Sequence, residues 1–321
     1  MKLTRRIVSA ALAALVLAGP AAAQSWPDKP ITVIVPFGAG GGTDAVARVL
    51  AEALERELGQ KVLVDNRGGA NGSIGASAVA KSAPDGYTFL MTTSTTHAAN
   101  PSLLKELSYD PIKDFTPVAR IGYFPFMLAV NPDVPANTVA EFVELAKAHP
   151  GEYSYAFWQG TTIVAGATLS RLAGIELLDV PFNGTTAALT DVLGGRVSAI
   201  FIDVPSGLAH VKSGGLRALG VTTKERSSLM PDLPSIDEAG VPGFNVSSWM
   251  AVYGPAGLPD EITQKMNAAV VAALTSDDVK KRLADLGFDV SPTSPDELAA
   301  YNLSEIDNWA EMVKAAGIEP K

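Results

Sequence analysis

The sequence predicts an α/β protein of two units. Short apolar, β-branched runs alternate with amphipathic helical segments, the alternation restarts once, and 321 residues suffice for about two domains. With 47% hydrophobic and 18% charged residues, the composition is that of a globular chain. There is no cysteine, which excludes thiolate catalysis, cysteine-ligated zinc, iron–sulfur clusters, disulfides and a lipid-modified N-terminal cysteine.

The N-terminus carries Lys2, Arg5 and Arg6, then the small and apolar run 7–19, then Ala21-Ala22-Ala23 before Gln24. This is the pattern of a signal peptide over residues 1–23 with an A-x-A cleavage site, and it implies export to the periplasm. The apolar run is shorter than the roughly 20 residues that span a bilayer, and no later segment is long enough, so the mature chain is not expected to be membrane-embedded. Loss of three basic residues with the leader moves the formal charge from −9 to −12. Such an acidic body disfavours nucleic acid and anionic membranes as partners.

Residues 31–35 (Ile-Thr-Val-Ile-Val) read as a buried strand ending at Pro36. A glycine-rich loop follows, Gly38-Ala39-Gly40-Gly41-Gly42, and then Val46, Val49, Leu50, Ala53, Leu54 and Leu58 recur at helical spacing. Thr43 is the expected N-cap, with Asp44 in the first turn. Residues 61–65 read as a second strand, 73–81 as a small-residue helix and 87–92 as a third strand. The second unit opens with a strand at 127–130 and a helix at 138–148 whose start carries a Thr138–Glu141 capping box. Strands at 153–157, 177–180, 197–202 and 216–221 alternate with helical segments, a strand at 249–253 follows a proline-rich stretch, and helices from Asp260, Asp277 and Ser294 close the chain. The chain is expected to cross between units near 123–127 and 247–253, bounding one domain at 24–125 plus 250–321 and the other at 126–249.

The glycine loop is not a nucleotide site. A P-loop needs Lys then Ser or Thr after its last glycine, whereas Thr43-Asp44 follows Gly42, and the dinucleotide fingerprint fails where Thr43 replaces its third glycine. No cofactor is expected. The loop keeps two readings: a small-anion site made of backbone N–H groups at a helix start, or a turn needing glycine for close packing. His97, His149 and His210 have no metal spacing and no nucleophile-elbow setting. His97, in a polar run after a strand, is read first as a structural hydrogen-bonding residue.

The loops at the strand ends share one chemistry. Phe37, Gly40, Gly41, Gly42 and Thr43, then Ser94, Thr95 and Thr96, then Gln159, Gly160, Thr161 and Thr162, and then Asn183 offer hydroxyls, amides and free backbone donors with no Lys or Arg. Such a set binds carboxylates through neutral hydrogen bonds. Phe37, Trp158 and Phe182 stand at carboxyl ends of strands, where α/β proteins gather ligands, and are either ligand wall or core. Asp203 either holds a ligand hydroxyl or ammonium or caps the helix near Pro205.

Several motifs then resemble the Bug family, the extracytoplasmic solute receptors of tripartite tricarboxylate transporters. They are Trp26-Pro27-Asp28-Lys29-Pro30, Pro36-Phe37 with the glycine run, Asp65-Asn66-Arg67, Ala83-Pro84-Asp85-Gly86-Tyr87, Thr96-His97 with Asn100-Pro101, Tyr109-Asp110-Pro111, Leu193-Gly194-Gly195, Arg217-Ala218-Leu219 and Gly254-Pro255-Ala256-Gly257-Leu258-Pro259. The resemblance implies a two-domain, type II periplasmic-binding-protein fold with the ligand in the cleft between domains. It also implies an organic-anion ligand and delivery to a permease of one large and one small integral-membrane subunit. The chain departs from the family pattern at Ala156-Phe157-Trp158-Gln159, where small polar residues and glycine are usual. The expected function is a monomeric, non-catalytic receptor for a small carboxylate, foremost a dicarboxylate with one end on residues 40–43 and the other near Thr161, Thr162 and Asn183. A secreted hydrolase of small esters and a receptor serving a membrane sensor are the competing readings.

Overall fold

The structure is a computed structural model that describes residues 26–227 and 230–320. The signal-peptide reading of residues 1–23 falls outside the described residues.

The strands form two sheets. The first contains β1 (Ile31–Val35), β2 (Val62–Asn66), β3 (Thr88–Thr93), β4 (Phe115–Phe124), β10 (Ser248–Pro255) and β11 (Asp289–Val290), in the order β11-β4-β10-β3-β1-β2. The second contains β5 (Phe126–Val130), β6 (Ser154–Phe157), β7 (Leu178–Pro181), β8 (Ala199–Asp203) and β9 (Arg217–Val221), in the order β7-β6-β8-β5-β9. In each sheet three neighbouring strands are parallel (β2-β1-β3 and β7-β6-β8), and the next strand inserts antiparallel. The same topology is therefore built twice. Between the sheets the chain crosses at Pro125, joining β4 to β5, and returns at β10, whose first residue Ser248 pairs with Phe124. The two crossings lie side by side.

The helices cover the sheets because their apolar stripes need burial. Helix α1 (Gly42–Leu58) buries Val46, Leu50 and Leu54 and ends on Gly59 in the left-handed conformation. Helices α2 (Ser73–Ala80) and α3 (Asn100–Leu103) flank a π-helical turn at Thr95–Ala99. In the second layer, α4 (Val139–Ala148) starts as expected, with the Thr138 side chain accepting from the Glu141 amide at 3.1 Å. It is followed by α5 (Gly160–Ala173), α6 (Thr185–Leu193) and α7 (Val204–Lys212). Helices α8 (Asp260–Thr275), α9 (Asp277–Asp285) and α10 (Pro295–Ala315) return to the first sheet, and Ser294 and Glu297 form a capping box at α10. Leu90 and Trp309 share one contiguous apolar cluster with Leu128, Phe142 and Phe201, so apolar packing joins the two halves.

Strand β4 and the start of α1 differ from the sequence reading in ways that bear on the site. The ten-residue strand β4 occupies a stretch in which Pro117 and Arg120 break the alternation, and β10 accommodates it with two register shifts. Helix α1 begins at Gly42 with Gly41 as N-cap, two residues before the expected Thr43 cap. The cause is Asp44, whose Oδ2 accepts the Gly40 amide at 2.9 Å while its carboxylate pairs with Arg48 at 3.0 Å, folding the glycine loop back onto the helix start.

Candidate functional site

The carboxyl ends of β1 and β3 face those of β6 and β8 across a seam between the halves, and each end feeds a helix or turn that starts at the seam. Glycines set how closely they meet. A Cβ built on Gly42 would stand 2.0 Å from Asp203 Oδ1 and 3.2 Å from Pro205 Cβ. One on Gly41 would stand 3.1 Å from Thr185 Oγ1, and one on Gly160 would stand 3.0 Å from both Ala99 and Leu103 and 3.4 Å from Thr95 Cγ2. The structure thus brings residues 40–43 against Thr185, Thr186 and Asp203, and residues 159–162 against the π-helical turn. Of the two readings of the glycine loop, close packing is visible directly.

The helix starts at the seam remain open as donors. Neither α1 nor α6 has a side-chain cap, and their N-cap residues are Gly41 and Gly184. Gly184 has φ of 148°, a conformation that excludes most other residues there. Two positive helix ends therefore converge. Thr95 and Thr161 stand at this seam with no solvent exposure, and neither hydroxyl has a hydrogen-bond partner. Buried hydroxyls are nearly always paired, so both are available to an occupant.

Three of the other predicted hydroxyls, those of Thr162, Ser94 and Thr96, are spoken for. Thr162 Oγ1 accepts from the amides of Trp158 (3.1 Å) and Gln159 (3.3 Å) and donates to the Gln159 carbonyl (2.9 Å), which exhausts its capacity. Ser94 pairs with Ser248 at 2.9 Å, and Thr96 Oγ1 lies 2.6 Å from Thr92 Oγ1 and 2.9 Å from His97 Nδ1. Adjacent threonines on α5 therefore separate by experiment. Thr162→Val is expected to lose about 1 kcal/mol of stability with its cap. Thr161→Val is expected to leave stability unchanged or slightly higher, while weakening a bound carboxylate by about 1.5–3 kcal/mol. Denaturant melts and calorimetry read the two effects.

Beside the seam lies a cavity of about 200 Å³. Phe37, Trp158, Phe182 and Asn183 line it, joined by Thr185 and by the turn 68–72. Among the described residues lining it there is no Lys, Arg, Asp, Glu or His. The sequence reading missed the turn 68–72 as a wall, although its glycines Gly68, Gly69 and Gly72 after a strand are the same signal as the first loop. Asn100 anchors it by donating to the Asn71 carbonyl at 3.0 Å. A larger groove, about 1240 Å³, runs between α5 and the C-terminal segment 316–320, mainly apolar and bordered by Lys105 and Arg171.

His97 is a core residue. It is fully buried, its ring stacks on Tyr253 at 3.9 Å, and burial drives its pKa down to about 3, so it stays neutral. Its neighbour Thr96 is equally buried, and His97 Nε2 has no partner, so the pair lacks both access and an orienting carboxylate. His149 ends α4 at the surface, 3.3 Å from Glu152. Asp203 caps α7, with Oδ1 accepting the Ser206 amide at 2.9 Å, and burial raises its pKa. Among the described residues no cluster of His, Asp and Glu could hold a metal ion, and no helix is long and apolar enough to cross a membrane.

Residues 46–318 match the family model of the tripartite tricarboxylate transporter family receptor. Protein BugT of Bordetella pertussis is 36% identical over 326 aligned residues, covering 100% of each chain. Among solved structures, R. palustris Rpa4515 with adipate is similar at a TM-score of 0.90 and 37% identity, over 92% of this chain and 100% of that one. MatC from Rhodopseudomonas palustris with bound malate is similar at a TM-score of 0.84 and 34% identity, over 90% of this chain and 100% of that one.

Proposed function

The chain belongs to the family of tripartite tricarboxylate transporter receptors, with a type II periplasmic-binding-protein fold, and on that footing we propose that it captures a small dicarboxylate between its halves. The observation that carries this reading is the convergence of two uncapped helix starts, α1 and α6, beside a cavity with no cationic lining. One carboxylate sits on the amides of α1, helped by Thr95 and Thr161. Phe37, Trp158 and Phe182 enclose the spacer, where apolar burial favours an aliphatic or aromatic chain over a sugar. Asn183 and the α6 start receive the far end. Binding involves no cofactor and no catalytic step. The similar proteins solved with adipate and malate support this ligand class.

In this reading residues 24–125 with 250–321 form one domain and 126–249 the other, and they close about Pro125 and the start of β10. After removal of the leader 1–23 the protein works in the periplasm as a monomer and hands its ligand to a permease of one large and one small integral-membrane subunit.

Calorimetry against C4 to C8 dicarboxylates, a terephthalate-like acid and citrate tests the ligand class. A dicarboxylate is expected to bind most tightly, because a third charge would be desolvated with only neutral donors to replace water. Citrate binding above every dicarboxylate overturns that assignment. Recovery of a chemically altered ligand after stoichiometric incubation overturns the non-catalytic reading in favour of the ester hydrolase.

A further inference from the structure

Asp203 stands where two helix starts from opposite halves meet. Its Oδ1 caps α7 through the Ser206 amide at 2.9 Å, and Gly42 of α1 packs so closely on the same oxygen that a Cβ there would come within 2.0 Å. Asp203 is only 4% exposed. Thr95 and Thr161, both buried and unpartnered, mark the same seam as built for a polar occupant. An anion seated on the α1 amides would therefore lie beside Asp203, placing two carboxylates close together in a site with little water. Two such groups do not both stay ionised cheaply, and one keeps a proton.

We propose that Asp203 is protonated in the closed, carboxylate-bound protein and donates that proton in a hydrogen bond to the ligand, so that binding takes up one proton and weakens as pH rises. The proposal rests on the carboxylate reading above and adds the ionic form in which the site accepts its ligand.

The surroundings of Asp203 offer no competing charge. On α1, Asp44 and Arg48 pair with each other. On α7 the next titratable group is His210, seven residues on, and on β5 the register partner is Phe126. In the loop before β11, Gly287 packs on Val204, with Asp289 two residues further. Burial pushes the carboxyl up, hydrogen bonds from Ser206 hold it back in part, and no neighbouring charge contributes. The sign follows: the closed form is favoured below the raised pKa of Asp203 and loses that advantage as pH climbs through it.

The test is calorimetry with the C4 to C8 dicarboxylates from about pH 6 to about pH 8.5, above the ordinary carboxyl range near 4, in buffers of different ionisation enthalpy. For the tightest binder, affinity is expected to fall by up to about tenfold per pH unit where Asp203 titrates, with uptake approaching one proton per ligand. Asp203→Asn keeps an N-capping oxygen and a donor, so it is expected to fold, bind independently of pH and exceed the parent protein at the alkaline end. A flat parent profile with no proton uptake overturns the proposal, as does an Asp203→Asn slope equal to the parent's. Should Asp203→Asn fail to fold, proton uptake by the parent protein alone decides. Absence of binding by every acid at every pH overturns the carboxylate reading itself, and this proposal with it.

Discussion

Gly42→Val is expected to weaken carboxylate binding by at least about a hundredfold, some 2.7 kcal/mol, with little change in the stability of the fold. The added side chain would overlap Asp203, whose Oδ1 lies 2.0 Å from the Cβ position, and would press on Pro205 at 3.2 Å. Both obstacles are held by α7, so the halves must part to admit it. Parted halves leave the α1 amides facing water instead of Thr161 and α6. The helix itself tolerates the change, since valine is no worse than glycine in a helical turn. Gly41→Val is expected to be milder, because it meets only the Thr185 hydroxyl at 3.1 Å. Calorimetry with a dicarboxylate and a thermal melt report the two quantities, and unchanged affinity in folded Gly42→Val would remove the α1 start from the site.

Trp309→Ala is expected to cost about 3–5 kcal/mol of stability. The side chain is fully buried on α10 and belongs to the apolar cluster that also contains Ala98 and Ala99 of the π-helical turn. Loosening that packing also loosens the turn that presents Thr95. Trp309→Phe is expected to cost clearly less, because the indole N–H it removes has no partner. Urea denaturation of the two variants gives the comparison, and equal losses would mean that the indole N–H has a partner after all.

Much of the fold was legible because burial leaves a periodic mark. The apolar runs of β1, β5 and β8, the Thr138 cap of α4 and the capping box of α10 stand in the sequence as they do in the structure, although at α4 the Glu141 carboxylate accepts the Asn137 amide instead of closing the box on Thr138. Strand β4 was not legible, because Pro117 and Arg120 interrupt a segment whose place is fixed by pairing with β10 and β11 rather than by its own alternation. The π-helical turn has no local signature either; it is shaped by what packs on it. At the site, residue chemistry singled out loops that the fold brings to one seam, but not which of their atoms are free. Thr161 and Thr162 are indistinguishable in sequence, and only the start of α5 spends one hydroxyl on its own cap and leaves the other unpaired. For Asp203, the cap at α7 was one of two open readings, whereas its contact with Gly42 comes from a segment about 160 residues away and could not be read locally.

A crystal structure of the protein with its tightest-binding dicarboxylate tests the site most directly. One carboxylate is expected within about 2.7–3.1 Å of the Gly42 and Thr43 amides, with Thr95 and Thr161 hydroxyls turned to it and the spacer against Phe37, Trp158 and Phe182. A ligand lying instead in the larger groove, with its carboxylates on Lys105 and Arg171, would contradict it.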